Sequence, residues 1–297
     1  MKKLIVLFQP MVLIFGILMH TNLSAQTADT SPFHVTVTGK GQPKLFIPGA
    51  TCSGEVWKET VARYSKTHEC HVFTLAGYAG EKAINQTPYL DAYEKGIITY
   101  IKNKKLEKVI LVGHSIGGFL SLCIASKMKE HLDRVILVDA LPFYAGIFNP
   151  AAKGGFNEVQ AQQLLNAYNQ MNYTALEASQ LAVAQTLCAD STKWERIARW
   201  GAASDRKTMA YSMVEMLGHD MRQDIASIQV PVLVLAAFAP VAQYPQFTKE
   251  NVLNSYRQQY QACKTCIVKV APLSKHFIMY DAPDWFYQEM NTFIQAD

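Results

Sequence analysis

A serine hydroxyl attacks a carbonyl efficiently only when a base takes its proton and an acid holds that base in one tautomer. The residues that matter are therefore a Ser, a His and an Asp or Glu brought together by the fold. The strongest candidate nucleophile is Ser115, in Val109-Ile110-Leu111-Val112-Gly113-His114-Ser115-Ile116-Gly117-Gly118. An apolar run enters G-x-S-x-G there and leaves as a stretch rich in small and apolar residues. The glycines permit a sharp strand-to-helix turn that holds the Ser115 hydroxyl above the sheet. The N–H of Ile116, at the start of the helix, is placed to donate to an oxyanion, and the helix N-terminus adds a partial positive charge. A packed glycine-rich turn without chemistry is the competing reading.

The base is expected after the last strand. His276 is the one histidine beyond residue 219, in Pro272-Leu273-Ser274-Lys275-His276-Phe277, between a strand and the closing helix. For the acid, only Glu250 lies between residues 230 and 275, well past the end of the strand where a carboxylate is usual. The strand preceding it ends Val135-Ile136-Leu137-Val138-Asp139, which puts Asp139 at the carboxyl edge where ligands gather in an open α/β sheet. Asp139 is thus the candidate to orient His276, with three alternatives open: a structural Asp139, a water, or Glu250. The second oxyanion donor is expected in Ile47-Pro48-Gly49-Ala50-Thr51, as the Ala50 N–H. Gly49 through Gly54 superficially resembles a phosphate loop, but Glu55 stands in the lysine position and would repel phosphate.

Positioning these groups needs alternating strands and helices. Short β-branched runs are expected as strands at residues 34–38, 44–47, 71–75, 109–112, 135–138, 230–238 and 265–270. Helices are expected at 55–65, 88–103, 116–128, 248–261 and 283–294. This is the rhythm of βαβ units and a mostly parallel sheet with helices on both faces, an α/β fold. From 141 to 225 the rhythm breaks into helices, read as an inserted helical cap between core segments 26–140 and 226–297. Its glutamine-rich part, 160–185, reads as a solvated face. Met209, Met213 and Met216 recur at helical spacing, either packing cap on core or lining an adaptable binding wall. Phe143, Tyr144, Met209 and Met213 are the tentative substrate contacts.

Composition narrows the function classes. The chain is 49% hydrophobic and 18% charged over 297 residues, which excludes a disordered chain. Its 28 Lys and Arg against 24 Asp and Glu are scattered, so no nucleic-acid partner is expected. Lys2 and Lys3 precede an apolar run from Leu4 to Met19, followed by Leu23-Ser24-Ala25. Residues 1–25 thus read as a cleavable secretory leader, giving an exported protein with no stable membrane anchor after cleavage. Cys263 and Cys266 read as a local disulfide or two ordinary thiols rather than a redox pair, which should open a helix after an early strand. No histidine pair shares a helical face with a nearby acid, so neither a metal nor a cofactor is expected. Oligomeric state is not legible.

The Gly113-His114-Ser115-Ile116-Gly117-Gly118 elbow, Pro48-Gly49 in place of the more frequent His-Gly, and His276-Phe277 resemble the α/β-hydrolase superfamily across the whole mature chain. Within it the chain is similar to lid-bearing esterases, thioesterases, lactonases and prolyl aminopeptidases. Some relatives, certain haloalkane dehalogenases and lipases among them, carry the acid where Asp139 stands. A serine rather than an aspartate at the elbow argues against dehalogenase and epoxide-hydrolase chemistry. The missing HGGG stretch argues against the hormone-sensitive-lipase type. The resemblance implies a serine hydrolase acting on small-molecule esters, with amide or peptide hydrolysis as the alternative chemistry and a non-catalytic binding protein as the alternative class.

Overall fold

The structure, a computed structural model, describes residues 31–147, 149, 151–240 and 248–296. The expected leader lies outside them. Seven strands form one sheet: β1 (Phe33–Thr38), β2 (Gln42–Ile47), β3 (His68–Leu75), β4 (Val109–His114), β5 (Leu132–Val138), β6 (Val232–Ala236) and β7 (Cys266–Val270). Their order is β1-β3-β2-β4-β5-β6-β7, with β1 antiparallel to β3 and every other pair parallel. The α/β class with a mostly parallel sheet is the architecture expected from the strand–helix alternation.

The helices are α1 (Lys58–Tyr64), α2 (Tyr89–Asn103), α3 (Ile116–Lys127), α4 (Glu158–Asn169), α5 (Tyr173–Leu187), α6 (Trp194–Ala202), α7 (Arg206–Gly218), α8 (Lys249–Gln259), α9 (Ile278–Asp281) and α10 (Pro283–Gln295). Both faces of the sheet are covered. Along β4, Val109 and Leu111 face a cluster built with α2 and α3, whereas Ile110 and Val112 face Trp57 and the α10 residues Phe286 and Met290. Strands buried on both faces have no polar side to display, which is why this run is uninterrupted apolar sequence. Between Val138 and Val232 the described residues form helices and turns but no strand.

Element ends differ from expectation in physically simple ways. β3 starts at His68 rather than 71 because Cys70 pairs with both Thr38 and Lys44, so strands on either side extend it. The strand expected over 230–238 is regular only from Val232 to Ala236; Phe238 instead makes an isolated bridge to Ser274, in the loop that carries His276. Cys263 and Cys266 are disulfide-bonded across the turn into β7, while Cys52, Cys70, Cys123 and Cys188 are buried free thiols. Among the described residues no helix is long and apolar enough to cross a membrane.

Candidate active site

Ser115 follows the last residue of β4 and immediately precedes α3. Its backbone has φ 53° and ψ −122°, a strained conformation for a non-glycine residue. Neighbouring backbone over-determines it: Ser115 N donates to Val138 O at 3.0 Å and Phe119 N to Ser115 O at 2.9 Å. Two glycines are required by close approach. A side chain at Gly113 would collide with Gly117 O and Ser121 Oγ, and one at Gly117 would collide with Ile47 O. The G-x-S-x-G spacing thus records how tightly the elbow is packed against β2.

Asp139 follows the end of β5, next to β4 in the sheet and in register with it, since His114 pairs with Val138. It too has positive φ, 46°, with its N–H held by Leu235 O at 2.8 Å. Its two carboxylate oxygens have separate tasks. Oδ2 lies 2.6 Å from His276 Nδ1. Oδ1 accepts from Ala237 N at 2.8 Å and from the Tyr256 hydroxyl at 2.7 Å. Burial alone would raise the Asp139 pKa, but the bonds and charge interaction with His276, together with those donors, outweigh it and hold it below the usual carboxylate value. Tyr256, buried beside that charge, has its own pKa pushed well up and stays a hydrogen donor. The Asp139 contact occupies Nδ1 of His276 and leaves Nε2 as the other ring nitrogen, on a residue that lines the cavity.

His276, Ser115, Gly49 and Ala50 line one cavity of about 410 Å³. Gly49 packs directly on the elbow: a side chain there would lie 3.2 Å from Ser115 Cβ. Ala50 therefore stands beside Ser115, and Ile116 opens α3, where a first-turn N–H has no partner within the helix. The Tyr144 hydroxyl, which donates to Asp139 O at 3.4 Å, faces Ser115. Of the expected substrate contacts, Tyr144, Met209 and Met213 line the cavity, joined by Met216, Ile197, Val183, Leu187 and Phe277. Phe143 does not. It is fully buried, its carbonyl accepts from Gln259 Nε2 at 2.9 Å and its ring packs under the Arg222 guanidinium at 4.6 Å. The two neighbours part because a 3-10 turn begins at Tyr144.

Three residues that sequence reasoning passed over hold this arrangement. His114, buried in the elbow, bonds His276 O through Nε2 at 3.0 Å, and burial keeps its pKa well below the usual value, so it is neutral and Nε2 carries the proton. Tyr256 braces the acid from α8. Asp281 ties the base-bearing loop to α5: Oδ2 accepts from Lys275 N at 2.8 Å, and Oδ1 from Ala189 N at 2.9 Å and Asp190 N at 3.1 Å. Phe277 N adds a bond to Leu187 O at 3.3 Å. The G-H-S triplet was the available signal for His114; Tyr256 and Asp281 leave no local signature.

A larger cleft, about 760 Å³, lies between α2 and α7 and does not touch Ser115. Its carboxylates are all engaged: Asp91 with Lys95, Glu94 with Lys127, Glu158 with the Tyr211 hydroxyl, Glu215 with the Tyr89 and Leu90 amides, and Asp220 with Arg222. Among the described residues no group of three or more His, Cys, Asp or Glu side chains is arranged to hold a metal ion.

Residues 45–289 match the model of the alpha/beta hydrolase family. A pimeloyl-(acyl-carrier protein) methyl ester esterase of Vibrio cholerae is 21% identical over 212 residues, covering 69% of this chain and 79% of that one. Among solved structures, the enol-lactonase of Burkholderia xenovorans superposes with a TM-score of 0.70 at 17% identity, over 89% of this chain and 96% of its own. An esterase from Exiguobacterium antarcticum gives 0.71 at 16% identity with the same coverage. At such identities the structural likeness speaks of fold.

Proposed function

The chain belongs to the alpha/beta hydrolase family, and from that premise we propose that it is a serine hydrolase of uncharged carboxylic esters, with Ser115, His276 and Asp139 as its triad. The observation that carries the reading is the 2.6 Å bond between His276 Nδ1 and Asp139 Oδ2 on the wall of the cavity that holds Ser115. His276 Nε2 removes the Ser115 proton as Oγ attacks the ester carbonyl. The Ile116 and Ala50 amides receive the tetrahedral oxyanion. The imidazolium, stabilised by ionised Asp139, then protonates the departing alkoxide, leaving an acyl-Ser115. Water, deprotonated by the same nitrogen, releases the acid and restores the serine. A lactone is cleaved by the same steps.

Ester is preferred to peptide because, among the described residues, no Asp or Glu lines the cavity to anchor a substrate amino terminus. The described lining residues likewise include no Lys or Arg, which disfavours a charged acyl group. Export through residues 1–25, with cleavage near Ala25, belongs to the same proposal and is tested by N-terminal sequencing of protein recovered outside the cytoplasm. The reaction is tested with p-nitrophenyl esters of increasing acyl length. Saturable turnover by the wild type that vanishes in Ser115→Ala supports it; turnover persisting in that variant at a similar rate removes Ser115 from the mechanism.

A further inference from the structure

The inner face of α5 carries one residue that does not fit an apolar wall. Leu176, Gln180 and Ala184 recur at helical spacing and are all buried as residues, but Gln180 carries a primary amide to the cavity side. The glutamine-rich sequence around it reads as solvated, and Gln160 and Gln185 are indeed exposed; Gln180 is the exception. It lines the cavity that holds Ser115, and its amide, accessible from that cavity, pairs with no described residue.

The neighbouring helix is shaped around it. The Gln180 side chain lies over Gly201 of α6, where any added side chain would collide with Gln180 Oε1. A glycine inside a helix gives up stability relative to alanine, so α6 forgoes a better helix former at the point where the amide needs room. With no carboxylate, lysine or arginine among the described lining residues, an uncharged partner is favoured for the amide. Because a primary amide both donates and accepts, its best match is a group that does the same.

We propose that Gln180 is a specificity residue of this hydrolase and that the substrate carries an alcohol hydroxyl or a carboxamide in the part that fills the cavity. This deepens the serine-esterase reading and rests on it for the identity of the reacting bond. The cavity of about 410 Å³ is otherwise lined largely by apolar side chains, so the polar group sits within an apolar part of the substrate. A site built to hydrogen-bond such a group discriminates strongly against the analogue that lacks it, because the protein amide is then left unpaired.

The test measures binding in the Ser115→Ala protein, by calorimetry, of medium-chain methyl esters bearing one hydroxyl at successive carbons, against the plain ester of equal length. At least one positional isomer should bind about tenfold tighter than the plain ester, and adding Gln180→Leu should erase that preference with the melting temperature little changed. Gln180→Met, closer in shape, serves if the leucine variant fails to fold. No preferred isomer, or a preference that survives both substitutions, overturns the inference. Turnover of the same esters by the Ser115 protein separates the two claims. Selective binding without turnover fails the hydrolase reading alone, and turnover without selectivity fails the role of Gln180 alone.

Discussion

The carboxyl edge of the sheet and the helical wall above it are built on opposite principles. At the edge, each member of the proposed triad is placed by backbone hydrogen bonds between successive strands: Ser115 N to Val138 O, Asp139 N to Leu235 O, and Ala271 N to Ala236 O, leading into the loop of His276. The side chains there are bonded in turn. The wall instead presents Met209, Met213, Met216, Ile197 and Val183, apolar and largely unbranched or flexible, with no directional bonds to fix them. On the proposed function, chemistry is anchored in register, where one misplaced atom is costly, and selectivity is carried by surfaces that a single substitution reshapes.

If that contrast holds, edge substitutions should destroy rate and wall substitutions should redirect it. Ser115→Ala is expected to lower ester kcat by about 10⁴-fold or more. Asp139→Asn, which keeps the shape but cannot hold the imidazolium, should cost on the order of 10³- to 10⁴-fold. Tyr256→Phe removes one of three donors to Asp139 and should cost about tenfold in kcat with KM little moved. Met213→Ala should instead change the ranking of acyl lengths by a few-fold, which the p-nitrophenyl ester series reads directly. A wall substitution as damaging to every ester as Asp139→Asn would break the distinction.

Between edge and wall sits Asp281, which bonds both the His276 loop and the end of α5. Its replacement by asparagine should lower kcat severalfold and the melting temperature together, the mixed signature of a joint between the two regions. The smallest expected effect concerns acid stability. His114 is neutral in the fold with its pKa depressed by burial, so the unfolded chain binds more protons below about pH 6.5 and stability falls as pH drops through that range. His114→Gln should flatten that slope in melting temperature against pH. His68 and His71, also lowered by burial, contribute to the part that remains.

The edge was largely legible in the residues and the wall was not, for the same reason. A nucleophile elbow needs glycines at set positions because backbone atoms pass within contact distance, so Gly113 and Gly117 advertise it. Asp139 was readable as the residue after an apolar strand, and His276 as the late histidine in a loop. Tyr256 reaches Asp139 from 117 residues away, and no local pattern announces such a contact. On the wall, direction decides everything: Phe143 and Tyr144 are adjacent and nearly alike, yet one packs in the core and the other faces Ser115. Gln180 hid inside a polar stretch because only the packing of α5 against α6 turns it inward.

The central claim is that Ser115 is a nucleophile activated by His276 and Asp139, and its most direct measurement is reaction with a fluorophosphonate followed by peptide mass mapping. The wild type should carry one adduct, on Ser115, formed far more slowly in Asp139→Asn and absent in Ser115→Ala. Folded wild-type protein that takes up no probe, or that carries it on another residue, would contradict the account.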